Sequence, residues 1–196
     1  MLQNEDLIYQ FSNMMDYDII PPFIPISRAE NFDPSKTKVF FIDENNINYG
    51  VRLLEKALPY VVGIDVEKDV LKKSDEIDIL SIAFDDKVLL LHKVKNEKLI
   101  KVIESLRDTK IAYFGGNDMS PFPLTQPRIN VQSFFNNQSL SSAYEKCFGK
   151  RIDKSHTFSP WANDTLSNDQ ISYAVIDALA VLRIFAYLKQ KSHFYL

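Results

Sequence analysis

The segment Leu166 to Leu188, LSNDQISYAVIDALAVLRIFAYL, limits what this chain can fold into more than any other stretch. Its apolar positions Ile171, Ala174, Leu179, Leu182, Phe185 and Leu188 recur near helical spacing, so it reads as one long helix. It is the last long helix of the chain. Set among the apolar positions are Tyr173 and Asp177, four residues apart and therefore on one face. A hydroxyl and a carboxylate at one spot are a surface accident, a satisfied hydrogen-bonded pair or half of a site. The rest of the sequence decides among these.

Strand and helix patterns alternate through the chain before this helix. KVFFID, YVVGIDVE, IDILSIAF, KVLLLH and KIAYFG read as strands, with the third and fourth joined through a two-residue DD hairpin turn. YGVRLLEKALP, ended by Pro59, NEKLIKVIESLRD, with Leu99, Val102, Ile103 and Leu106 on one side, and QSLSSAYEKCFGK, stopped at Gly149, read as helices. A run of strands followed by alternating helix and strand predicts an α/β fold, a mixed sheet flanked by helices. The 196 residues suit a single domain, with 45% hydrophobic and 25% charged residues in the ordinary globular range.

Residues 1–37 differ in character from the rest of the chain. IIPPFIPIS sets three prolines among bulky apolar residues, after the acidic and aromatic NEDLIYQFSNMMDYD. They are expected to form an extension that packs on the domain of residues 38–196 or docks a protein partner. The N-terminus lacks a secretory pattern, no stretch is expected to span a bilayer, and the one cysteine, Cys147, suits a reducing compartment. The expectation is an intracellular protein, nuclear or cytoplasmic, with no membrane partner. A formal net charge of -3 gives no general attraction to nucleic acid, so any phosphate-binding surface must be local or act through metal ions.

In VVGIDVEKD, strand alternation puts Val62, Ile64 and Val66 on one face and Gly63, Asp65 and Glu67 on the other. Two carboxylates aimed one way are either solvated on an exposed edge strand or gathered to hold cations. Asp118, just past the strand KIAYFG, is either a turn residue or a third acid at a strand end, where α/β folds place chemistry. His92, His156 and His193 show no chelating spacing and read as structural or surface groups.

Three motifs together resemble the tyrosine-bearing branch of the DEDD 3′-to-5′ exonuclease superfamily, which includes ribonuclease D and the Werner syndrome helicase exonuclease domain. They are GIDVE, KIAYFGGND and LSNDQISYAVIDA, preceded by SLSSAYEKCFGKRIDKSHTFSPW with its G-K-x-x-x-K-S pattern and Trp161. The resemblance runs from about Lys38 to about Lys189. It departs from the family at Ser81, where a Gln is frequent, and in the looser second motif around Asp118. It implies a ribonuclease H-like fold and a nuclease that releases nucleoside 5′-monophosphates from the single-stranded or frayed 3′ end of RNA or DNA.

The same resemblance implies two ions of Mg²⁺ or Mn²⁺. Asp65, Glu67 and Asp177 would hold one, Asp65 and Asp118 the other, and Tyr173 would orient the attacking water. Hard oxygen ligands suit such ions. Lys150, Arg151 and Lys154 are candidate nucleic-acid contacts, Phe158 lies within reach of a base or a core, and Gly63, Ile64 and Phe114 are candidates to line the cleft. Trp161 is expected to pack the third motif against the sheet. The competing reading is an exonuclease-fold module with little or no activity that binds nucleic acid or a protein as a scaffold.

Overall fold

The computed structural model describes residues 37–72, 74, 76–115 and 119–191. The N-terminal extension, apart from Thr37, therefore lies outside the described residues, as do Asp118 and His193. The elements are β1 (Lys38–Ile42), α1 (Ile47–Ala57), β2 (Val61–Glu67), β3 (Ile79–Phe84), β4 (Lys87–His92), α2 (Asn96–Ser105), β5 (Lys110–Tyr113), β6 (Arg128–Asn130), α3 (Leu140–Phe148) and α4 (Asn168–Lys191). A 3₁₀ turn over Val131–Phe135 comes directly after β6.

The strands form one mixed sheet in the order β1-β4-β3-β2-β5-β6. β2, β3 and β4 are an antiparallel meander, whereas β1 runs parallel to β4, and β5 parallel to both β2 and β6. Asp85, at φ 50°, makes the tight turn between β3 and β4 that the DD pair predicts. The mixed sheet and its flanking helices are the α/β architecture expected.

Helix boundaries reflect local chemistry. α1 begins two residues before the expected YGVRLLEKALP and closes on Leu58, whose N–H donates to the Leu54 carbonyl at 3.0 Å, directly before Pro59. In α3 the Ser139 hydroxyl accepts from Ser142 N–H at the start, and Gly149, at φ 72°, closes the end. α4 opens with a capping box in which Ser167 Oγ accepts from Gln170 N–H and Gln170 Oε1 accepts from Ser167 N–H.

Each face of the sheet has its own core. Val62, Ile64, Ile82 and Leu89 pack with α1 and α2 through Leu54, Leu99, Val102 and Ile103. Ala83, Val88 and Ala112 pack on the opposite face with α3 and α4 through Ala143, Tyr144, Ala174, Ala178 and Val181. α4 is long and apolar enough, by length and composition, to cross a membrane, which the sequence reading did not anticipate. Yet 72% of its most apolar window is buried inside the domain, so its apolarity serves the core. β6 and the 3₁₀ turn were not anticipated either.

Candidate active site

β2 is not the exposed edge strand that its two acids allowed as one reading. It lies inside the sheet between β3 and β5, with Asp65 opposite Ser81 and Glu67 opposite Ile79. Its alternation is as expected, with Val62 and Ile64 turned into the α1–α2 core. Ile64 therefore does not line a cleft beside the acids, which project from the other face. Phe114 is buried in the core on the α4 side.

Gly63 lets α4 approach the acid-bearing face. A Cβ on Gly63 would lie 2.4 Å from the Ala178 carbonyl oxygen and 2.8 Å from both the backbone N and the Cβ of Leu182. A side chain there would collide with the backbone of α4. Because the helix crosses so near, Asp177, one residue before Ala178, meets the strand that carries Asp65 and Glu67. One carboxylate oxygen from each of the three acids lies within 4.8 Å of the others. Asp177 is 2% exposed and Glu67 9%, and Asp65 is partly buried.

So many buried carboxyls distort one another. Burial first, then the neighbouring charges of Asp65 and Asp177, push the Glu67 carboxyl up to about 11. Asp177 is also raised, by burial, although Lys154 opposes that shift. Lys154 Nζ donates to Asp177 Oδ2 and, at 3.3 Å, to the Tyr173 hydroxyl. Burial pulls the lysine down, but Asp177, Tyr173 and Asp65 outweigh it and hold the ammonium charged.

Tyr173 sits one turn before Asp177 on α4 and is fixed on several sides. Its hydroxyl meets Thr157 Oγ1 at 2.9 Å, and its ring lies 5.9 Å from that of Trp161, which is fully buried. Thr157 Oγ1 also donates to the Lys154 carbonyl at 2.9 Å, and Lys154 Nζ donates to the phenol oxygen, so the three residues form one hydrogen-bonded group. Burial, and next the Asp177 charge, raise the phenol above its ordinary range, which keeps it a neutral O–H donor.

Of the three basic candidates, Lys154 reaches the acids. Arg151 is exposed and pairs through Nε with Glu145 at 2.8 Å, and Lys150 is exposed. Trp161 packs beneath the third motif as expected, Phe158 is exposed, and His156 Nδ1 meets Ser159 Oγ at 3.0 Å. The sequence reading missed Thr157 and the attachment of Lys154 to Asp177. Their signal was the KSHT run immediately before the tryptophan.

The donor set fits a hard divalent cation. Three carboxylates converge, and Asp177 Oδ1 is buried with no hydrogen-bond partner among the described residues. An acceptor buried that way is costly unless a cation or donor meets it.

A family model described as 3′-5′ exonuclease matches residues 42–192. The chain belongs to that family. An exonuclease mut-7 homolog of Aedes aegypti is 43% identical over 58 residues, covering 29% of this chain and 8% of the relative. A ribonuclease D of Bartonella henselae is 30% identical over 98 residues, covering 49% of this chain and 24% of the relative. The chain thus matches less than a quarter of the length of these curated relatives. Among solved structures, the EXO domain of Aedes aegypti Nibbler superposes with a TM-score of 0.67 at 18% identity, covering 85% of this chain and 93% of that one. The fold of this 3′-5′ exonuclease domain is ribonuclease H-like.

Proposed function

We propose that this chain hydrolyses the terminal phosphodiester at the 3′ end of a single-stranded or frayed RNA or DNA, releasing nucleoside 5′-monophosphates. The observation that carries the reading is the meeting of Asp65, Glu67 and Asp177 oxygens within 4.8 Å, with the Tyr173 hydroxyl held one helical turn away. Asp65, Glu67 and Asp177 would hold one divalent ion, and Asp65 with Asp118 a second. Mg²⁺ or Mn²⁺ bound there would neutralise charge building on the phosphate and lower the pKa of a water.

The remaining work belongs to the protein. Tyr173, kept neutral and oriented by Thr157 and Lys154, positions the attacking water by hydrogen bonding. Trp161 holds the tyrosine ring from below, and the crossing at Gly63 fixes the spacing of the acids. Relatives named ribonuclease D make RNA the first substrate to try. An intracellular location, nuclear or cytoplasmic, accords with this substrate class, and residues 1–37 are the candidate surface for a protein partner.

The test is a time course on 5′-labelled single-stranded RNA and DNA of one sequence, in Mn²⁺, Mg²⁺ or chelator, beside Asp65→Asn. A metal-dependent ladder shortening from the 3′ end, absent in the variant, is the expected result. Binding of either strand without cleavage by the wild type would replace the reading with that of a scaffold.

A further inference from the structure

We propose that Lys154 is a resident counter-ion of the acid cluster, which weakens divalent-ion binding until a phosphate-bearing substrate arrives. The inference rests on the metal-dependent reading above and concerns how the same site takes its ion. Lys154 is placed from both ends. Its ammonium donates to Asp177 Oδ2 and to the Tyr173 hydroxyl and lies 4.9 Å from the tyrosine ring centre, while its carbonyl accepts from Thr157 Oγ1 at 2.9 Å. The ammonium therefore occupies one oxygen of the acid that a cation would also need.

The other oxygen of that carboxylate, Asp177 Oδ1, is buried without a hydrogen-bond partner among the described residues. An ion can approach it while the lysine still holds Oδ2. Two positive charges then share one carboxylate, and in a partly buried site such repulsion changes affinity by more than about tenfold. The lysine side chain is 33% exposed, so it has room to leave. A phosphate entering the site supplies negative charge that offsets the repulsion. Ion and nucleic acid then strengthen each other's binding by the same factor, as linkage requires.

The experiment is a Mn²⁺ titration monitored by electron paramagnetic resonance, on wild type, Lys154→Met, Lys154→Gln and Lys154→Arg, with and without adenosine 5′-monophosphate. Lys154→Met and Lys154→Gln are expected to bind Mn²⁺ at least about tenfold more tightly than wild type. In them the tightening caused by the nucleotide shrinks, whereas Lys154→Arg behaves like wild type. Circular dichroism identifies any variant that fails to fold, and the neutral variant that folds then decides. Unchanged or weaker binding in the neutral variants overturns the proposal, since the lysine would then be organising the acids for the ion. Wild type that takes up no Mn²⁺ overturns the metal-dependent reading as well. Wild-type uptake abolished in Asp65→Asn keeps that reading, whatever Lys154 does.

Discussion

Gly63→Ala separates the packing argument from the chemical one. The added methyl would sit 2.4 Å from the Ala178 carbonyl oxygen, and ordinary contact begins near 3.4 Å, so α4 must retreat by about 1 Å. No rotamer relieves the clash, because the atoms met are the backbone of α4 and the Leu182 Cβ. Overpacking costs about 1–3 kcal/mol when side chains can adjust. A displaced core helix therefore belongs at about 3 kcal/mol or above, a large part of the ~5–15 kcal/mol that holds an ordinary domain folded.

The same retreat carries Asp177 away from Asp65 and Glu67, and a misplacement of about 1 Å lowers a reaction rate by about 10²-fold. Urea denaturation in chelator reads the first effect, and Mn²⁺ affinity with nuclease rate reads the second. Gly50→Ala is the internal control. Its Cβ would meet the buried Ile42 side chain at 3.2–3.4 Å, only a few tenths of an ångström inside ordinary contact and with no backbone atom in the way, and alanine favours the helix, so stability stays within about 1 kcal/mol of wild type. If Gly63→Ala also stays within that margin, or keeps full Mn²⁺ affinity despite a large loss of stability, the account of how the site is assembled is wrong.

Tyr173→Phe removes the hydroxyl but no carboxylate, so hydrolysis should fall by about 10²-fold or more while calorimetry shows Mn²⁺ binding retained. Glu67, with its carboxyl raised from 4.5 to about 11, binds a proton in the folded state that the unfolded chain gives up above pH 4.5. Stability measured in chelator should therefore decline as pH rises from about 4.5 toward 11, by at most about 1.4 kcal/mol per pH unit for this one group. Glu67→Gln should flatten that slope between pH 6 and 9, and an unchanged slope would assign the proton elsewhere.

The parts of the fold that were legible in the sequence are those that local pattern encodes. Two-residue alternation identified β2 and its acid-bearing face, and helical spacing identified α4 with Tyr173 and Asp177 together. β6 escaped because three half-buried residues, Arg128 to Asn130, carry no alternation worth reading and gain their place from pairing with β5. The burial of Glu67 escaped because it depends on where α4 crosses, which is set at Gly63 by contacts more than 100 residues apart in the chain. Lys154 read as one cation in a basic run with Lys150 and Arg151. Only the path of the chain between α3 and α4 shows that one of the three turns inward to Asp177 and another pairs with Glu145.

α4 is at once a wall of the core and the mount for two of the site's groups: Ala174, Ala178 and Val181 are fully buried on the same helix as Tyr173 and Asp177. Neither group can be swung aside as a loop could carry it, because moving them means taking the domain apart. A lineage descended from such a chain can abandon catalysis by exchanging a single side chain while its outline stays intact. What it cannot readily do is drift by degrees into a looser version of the same site, since geometry and foldedness would fail together.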